Sequence, residues 1–146
     1  MKFGLFFPLT VAVSLTGCVS YNPQIYQPID RAEKTITVPT GSAGLTGQLK
    51  RALADDGWKL SVRRGPRVTE GTVGEKTKVE QYDTFKTRYE LRVSWNQFDV
   101  CIRDFSPAIY YDLSVIDNKT GEESVTMGGR GCESGVVEKF IEALKK

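Results

Sequence analysis

The sequence predicts an α+β domain: a mainly antiparallel sheet of about five strands with two amphipathic helices packed on one face. Three observations carry that prediction. Apolar and polar residues alternate without a break over Tyr89-Glu90-Leu91-Arg92-Val93-Ser94-Trp95, and again from Ile109 to Val115, as in strands with one buried face. The second run ends in Asp117-Asn118-Lys119-Thr120-Gly121, a turn in which Gly121 suits positive φ, and Glu123, Val125 and Met127 carry the chain back. Two further stretches, near Leu49 and near Phe140, repeat at helical spacing.

Ordered structure is expected to open with Thr35-Ile36-Thr37-Val38, a short alternating strand stopped by Pro39. A helix follows, capped by Ser42 or Thr40, with Ala43, Leu45, Leu49, Ala52 and Leu53 on its apolar stripe and Gly57 at its end. Trp58, Leu60 and Val62 then alternate with Lys59, Ser61 and Arg63, which completes a strand, helix, strand unit. Residues 64–86 are polar, glycine-bearing and without a sustained period; they form either a long hairpin or a mobile loop, and are a place to look for a binding element. At the start of this stretch Arg63, Arg64 and Arg67 surround Gly65-Pro66, a basic cluster able to meet anionic lipid heads or another polyanion, or to serve as a solvated turn. The strands around Leu91, Leu113 and Val125 form an antiparallel meander. Val136, Val137, Phe140, Ile141 and Leu144 make the last helix face, with Glu138, Lys139, Glu142 and Lys145 toward water.

The N-terminus sets the domain organisation. It reads MKFGLFFPLTVAVSLTGCVS: a Met-Lys start, an apolar run from Phe3 to about Val13, then small residues, which is the grammar of an export signal. The run is shorter than the roughly 20 apolar residues that span a bilayer. Leu15-Thr16-Gly17-Cys18 closely resembles the lipobox of bacterial lipoproteins, in which the signal is cut before a cysteine whose sulfur carries a diacylglycerol. The resemblance implies a signal peptide over 1–17 and lipid on Cys18; the competing reading is an ordinary secreted protein cut at a small residue. Val19, which is not aspartate, implies sorting to the periplasmic side of the outer membrane. Residues 18–34, with Pro23 and Pro28, read as a tether that in an extended conformation reaches up to roughly 45 Å. Tyr21, Ile25 and Tyr26 can instead lie along the domain. The globular domain is assigned to 35–146. Its order of strand, helix and meander, with the Asp-x-x-Thr-Gly turn, loosely resembles small periplasmic lipoprotein domains, a likeness that bears on fold class only.

Composition excludes several function classes. The 146 residues fit one domain, and 20 Lys and Arg against 18 Asp and Glu give a net charge of +2, no general pull toward nucleic acid. With no histidine, Ser-His-Asp and Cys-His catalysis and His-containing zinc sites are impossible within this chain. The stretch GGRGCESG, Gly128 to Gly135, lies between a strand and a helix and superficially resembles a phosphate-binding turn. Its spacing departs by one residue from G-x-G-x-x-G, no further strand follows to complete a βαβ unit, and the expected compartment lacks routine nucleotides.

If Cys18 is lipidated, Cys101 and Cys132 remain, an even pair in an oxidising compartment. The hairpin registers place both at the level of residue 107, on opposite flanks of the central strand. Two strand spacings, about 9.6 Å, must then shrink to the roughly 4.4–6.8 Å that a disulfide allows. Gly128, Gly129 and Gly131 are expected to supply the bend. A redox pair is the rival, with no C-x-x-C motif to favour it. Asp55-Asp56, Asp112, Asp117 and Glu122-Glu123 form no pair that periodicity brings into one cleft, and Ser134 is expected to cap the last helix. Of the aromatic residues, Phe105 and Tyr110 are the candidates for an exposed partner contact. The expected function is therefore a non-enzymatic, lipid-anchored protein without cofactor or metal that binds an envelope protein or surface polymer. Alternatives are an inhibitor or immunity lipoprotein against a toxin or hydrolase, a link between membrane and peptidoglycan, and a carboxylate-based hydrolase.

Overall fold

A computed structural model of the protein describes residues 21–62, 69–70, 80–81 and 87–146. The elements run β1 (Asn22–Ile25), β2 (Thr35–Val38), α1 (Gly44–Asp55), β3 (Lys59–Val62), β4 (Thr69–Glu70), β5 (Glu80–Gln81), β6 (Tyr89–Val100), β7 (Pro107–Asp117), β8 (Glu123–Cys132) and α2 (Glu133–Ala143). β1, β8, β7, β6, β2 and β3 form one sheet in that order, while β4 and β5 pair antiparallel as a separate ribbon.

The class is α+β, but the sheet corrects the prediction of about five mainly antiparallel strands: it has six and is mixed. β2 runs parallel to both of its neighbours, with Thr35 opposite Lys59 on one side and Ile36 opposite Tyr89 on the other. The reason lies in α1. Its 12 residues return the chain by about 18 Å, so β3 must leave in the direction of β2, as strands joined by a crossover helix do. Alternation along a strand reports burial and carries no information about direction.

The sixth strand comes from the stretch expected as a tether. β1 pairs antiparallel with β8, Asn22 opposite Gly128 and Ile25 opposite Val125. The arrangement in which Tyr21, Ile25 and Tyr26 lie against the domain is the one present. Pro23 has no N–H to give, and an edge strand is where a sheet tolerates that. Beyond β1, Ile29 is buried, the Asp30 amide donates to the Tyr89 hydroxyl at 2.7 Å, and Lys34 pairs with Asp56 at 3.0 Å. The chain is thus docked from Tyr21 onward.

β6, β7 and β8 form the antiparallel meander, and Gly121 turns between the last two at φ +77°. One face of the sheet supplies Ile36, Val38, Leu91, Ile109, Leu113, Val115 and Met127 to the core. α1 and α2 lie against each other over it, adding Leu45, Leu49, Leu53, Val136, Phe140 and Leu144. Both expected side-chain caps are absent: α1 starts after Ala43 and α2 after Cys132, neither with a capping side chain. At the turn end of the sheet Arg88 grips Asp117 with two hydrogen bonds, at 2.9 and 2.6 Å, and also lies 3.5 Å from Glu33. These bonds hold the buried Asp117 carboxyl below its usual range, against the opposing effect of burial.

Candidate functional site

The far end of the sheet from that turn carries the features that the sequence singled out. GGRGCESG is not a loop: Gly128 to Cys132 finish β8, paired through Ala108 opposite Cys132, and Glu133 begins α2 directly. Two of its glycines make room for an aromatic ring. A Cβ on Gly131 would fall 2.5 Å from Cε1 of Tyr21, and one on Gly135 would fall 2.5 Å from the Tyr21 hydroxyl. That hydroxyl accepts a hydrogen bond from the Cys132 amide at 3.1 Å. The glycines are therefore a slot for Tyr21.

Cys101 and Cys132 form a disulfide, with Cα atoms 5.9 Å apart. The pairing follows the prediction, but the device that brings the sulfurs together does not. β8 keeps its register up to Cys132, so the glycines do not swing the cysteine across the sheet. β6 instead has a bulge between Gln97 and Asp99, which bends the strand and sharpens its twist just before Cys101. Cys101, Asp104 and Cys132 place two sulfurs and a carboxylate within 4.8 Å of one another. Both sulfurs are committed to each other, so neither offers a thiolate to a metal.

The disulfide braces the hairpin that joins β6 to β7. Past Trp95 this hairpin outruns the core, and every residue from Asn96 to Val100 is exposed. The turn itself is closed by backbone bonds from Cys101 to Ser106 at 2.8 Å and from Phe105 to Cys101 at 2.9 Å. Asp104 accepts from the Ser106 amide at 3.1 Å, from its hydroxyl at 2.8 Å, and from the Ser134 hydroxyl. Ser134 thus ties helix α2 to the hairpin where the sequence predicted a cap. The hydrogen bonds from Ser134, then Ser106, lower the Asp104 pKa, which makes it a poor base for activating a serine.

This braced turn presents apolar side chains to solvent. Ile102 is 91% exposed and Phe105 82%, the two highest values among the exposed large hydrophobic residues of the described chain; Val100, Phe98 and Tyr110 are about half exposed. Phe105 has φ +55°, alone among the described non-glycine residues in that region, a conformation that costs free energy for a bulky side chain. Phe98 and Tyr110 stack with ring centroids 4.5 Å apart on the side of the sheet away from the helices, since their neighbour Tyr111 faces the core. Sequence reasoning found Phe105 and Tyr110, allowed Tyr21 to lie along the domain without giving it a partner, and missed Phe98 and Ile102. An apolar pair inside a turn bracketed by a cysteine, Ile102-Arg103-Asp104-Phe105, was the available signal for Ile102.

The remaining sequence candidates do not join this site. Arg63, Arg64 and Arg67 lie outside the described residues, as does Cys18. Asp56 pairs with Lys34, Arg31 and Lys145, Asp117 with Arg88, and Glu123 accepts from Ser114. These contacts hold elements together. No helix among the described residues is long and apolar enough to cross a membrane. No protein-family model matches the chain, and no curated protein matches it. Among solved structures it is similar to the PelC dodecamer from Paraburkholderia phytofirmans, at 11% identity and a TM-score of 0.49 over 86% of this chain and 93% of that one, a likeness too slight to bear on function.

Proposed function

We propose that this chain is a lipoprotein of the bacterial envelope, held by lipid on Cys18 at the periplasmic side of the outer membrane. It acts there by binding an envelope protein or a surface polymer, without catalysis or cofactor. The observation that carries the reading is the state of the cysteines. Cys101 and Cys132 are joined, a chemistry that belongs to oxidising compartments, and this leaves one cysteine, in Leu15-Thr16-Gly17-Cys18, at the end of an export-type apolar run. The exposed Phe98–Tyr110 stack supplies apolar surface of the kind that binding proteins present.

Metabolic labelling with palmitate tests the anchor: label should enter the wild-type protein and be absent from Cys18→Ala. Cross-linking the lipidated protein in intact cells tests the binding role. Capture of a discrete protein or of glycan, reduced several-fold by Tyr110→Ala, is the expected result. A lipidated protein that captures neither would remove the binding reading and leave the anchor standing.

A further inference from the structure

The anchor and the braced turn leave the domain at the same end. Tyr21 is seated in its slot, with its hydroxyl on the Cys132 amide, and Asn22 is already paired with Gly128. Cys132 is bonded to Cys101, the residue that opens the turn carrying Ile102 and Phe105. Cys18 precedes Tyr21 by three residues. Three trans peptide steps of 3.8 Å span at most about 11 Å. Whatever holds Cys18 therefore lies close to the disulfide, and the long reach expected of a tether over 18–34 is lost once the chain docks at Tyr21.

We propose that the tip of the β6–β7 hairpin seats in the same bilayer surface that holds the Cys18 lipid, with Ile102 and Phe105 entering the boundary between headgroups and acyl chains. The inference rests on the lipid-anchor reading. The domain then stands on the membrane at two points at the same end of the sheet, in a fixed orientation. Three properties of the turn fit this role. Ile102 and Phe105 are the most exposed large apolar side chains of the described residues, and five of the eight such side chains lie between Phe98 and Tyr110. Arg103 stands between the two, exposed, where its guanidinium can meet lipid phosphate while the side chains on either side enter the apolar layer. The turn is also fixed before it binds, by the disulfide, by Ser134 on Asp104, and by Ser106 on Asp104, so that insertion orders little further. The diacylglycerol on Cys18 would by itself give stable residence, so what the apolar tip adds is a second contact that sets which end of the domain meets the bilayer.

The test uses the full-length lipidated protein in vesicles of phosphatidylethanolamine and phosphatidylglycerol with brominated acyl chains. An indole is introduced by Phe105→Trp and, as control, by Lys119→Trp at the opposite end of β7, about 34 Å away along the strand. The expected result is at least about twofold quenching of the first indole by the brominated chains, a blue-shifted emission, and no quenching of the second beyond the native tryptophans. Ile102→Ser should reduce the quenching of the first indole. The intact mass of the protein, read on the same sample, reports lipid on Cys18. A lipidated protein whose two indoles are quenched equally overturns the tip inference and leaves the anchor intact. An indole at the tip that is unquenched in vesicles but shielded from acrylamide when envelope extract is added gives the turn to a protein partner, and also overturns it. An unlipidated Cys18 overturns both.

Discussion

Replacing Gly135 by alanine should destabilise the domain, although the residue lies in helix α2, where alanine is ordinarily the better choice. The new Cβ would lie 2.5 Å from the Tyr21 hydroxyl oxygen and 2.7 Å from Cζ. Carbon atoms pack at about 3.5–4.0 Å, so the ring would have to retreat by about 1 Å. It has no room to do so on the side of Gly131, and its hydroxyl is held by the Cys132 amide at 3.1 Å. Losing the ring strands that amide, which costs about 1–3 kcal/mol, while the gain from alanine in a helix is about 0.5–1 kcal/mol. The net expectation is a loss of about 1–2 kcal/mol. With Tyr21→Ala already in place, no atom outside the ring lies closer than 3.2 Å to the Cβ position, and the same change should stabilise by up to about 1 kcal/mol. Urea denaturation of the four proteins of this cycle, carried on a Cys18→Ser background for solubility, measures the coupling. A sign change between backgrounds is expected. Equal effects in both, within about 0.5 kcal/mol, would refute the reading of the slot.

Other predictions concern the rest of the fold. Removing both sulfurs by Cys101→Ala and Cys132→Ala opens a loop with a separation of 31 residues, and should cost about 3–4 kcal/mol, seen as a fall of about 10–20 °C in Tm. Ser124→Ala should raise stability by about 1 kcal/mol, because the buried Ser124 hydroxyl has no hydrogen-bond partner among the described residues; a loss in urea midpoint would contradict this. Arg88 lowers the Asp117 pKa, so the stability it lends is complete above the unfolded value of about 3.9 and disappears as pH falls through the lower folded value. Asp117→Asn should therefore lower the urea midpoint at pH 7 and flatten its decline below pH 4. Glu133 has the opposite sign: burial raises its pKa, so its contribution is most favourable below about pH 4.5 and is lost as pH rises through the folded value. Glu133→Gln should raise the midpoint at pH 7 and leave it little changed at pH 3.

The parts of this fold that were legible in the sequence are those in which a local period coincides with burial. Leu91, Leu113 and Val115 alternate because the sheet face beneath the helices alternates, and the same holds at helical spacing for Leu45, Leu49 and Leu53. The disulfide was legible for a different reason: strand register carries two distant cysteines to a common level, and the count of sulfurs does the rest. Where the chain leaves the core, the code fails. Phe98 and Val100 fall out of step with Leu91, Val93 and Trp95 around the bulge, and they stand in water, Phe98 on the face away from the helices. β1 was hidden because a four-residue edge strand containing Pro23 has no period to detect, and because its partners are a hundred residues away or more. Ser42 and Ser134 sit where caps belong by composition, but Ser134 binds Asp104 across the disulfide, a partner that only tertiary structure provides.

The pairing of β1 with β8 also orders events in time. A chain made from its N-terminus releases β1 first, yet that strand has no partner until Gly128 and its neighbours have followed. The meander of β6, β7 and β8 can pair within itself, since its contacts are between consecutive strands. Tyr21 finds its slot only after Gly131 and Gly135 have arrived, so β1 stays unpaired through most of synthesis. On the proposed lipoprotein reading, a lipid-transferring enzyme would act before Tyr21 is seated, and the sheet would close once the modification was complete.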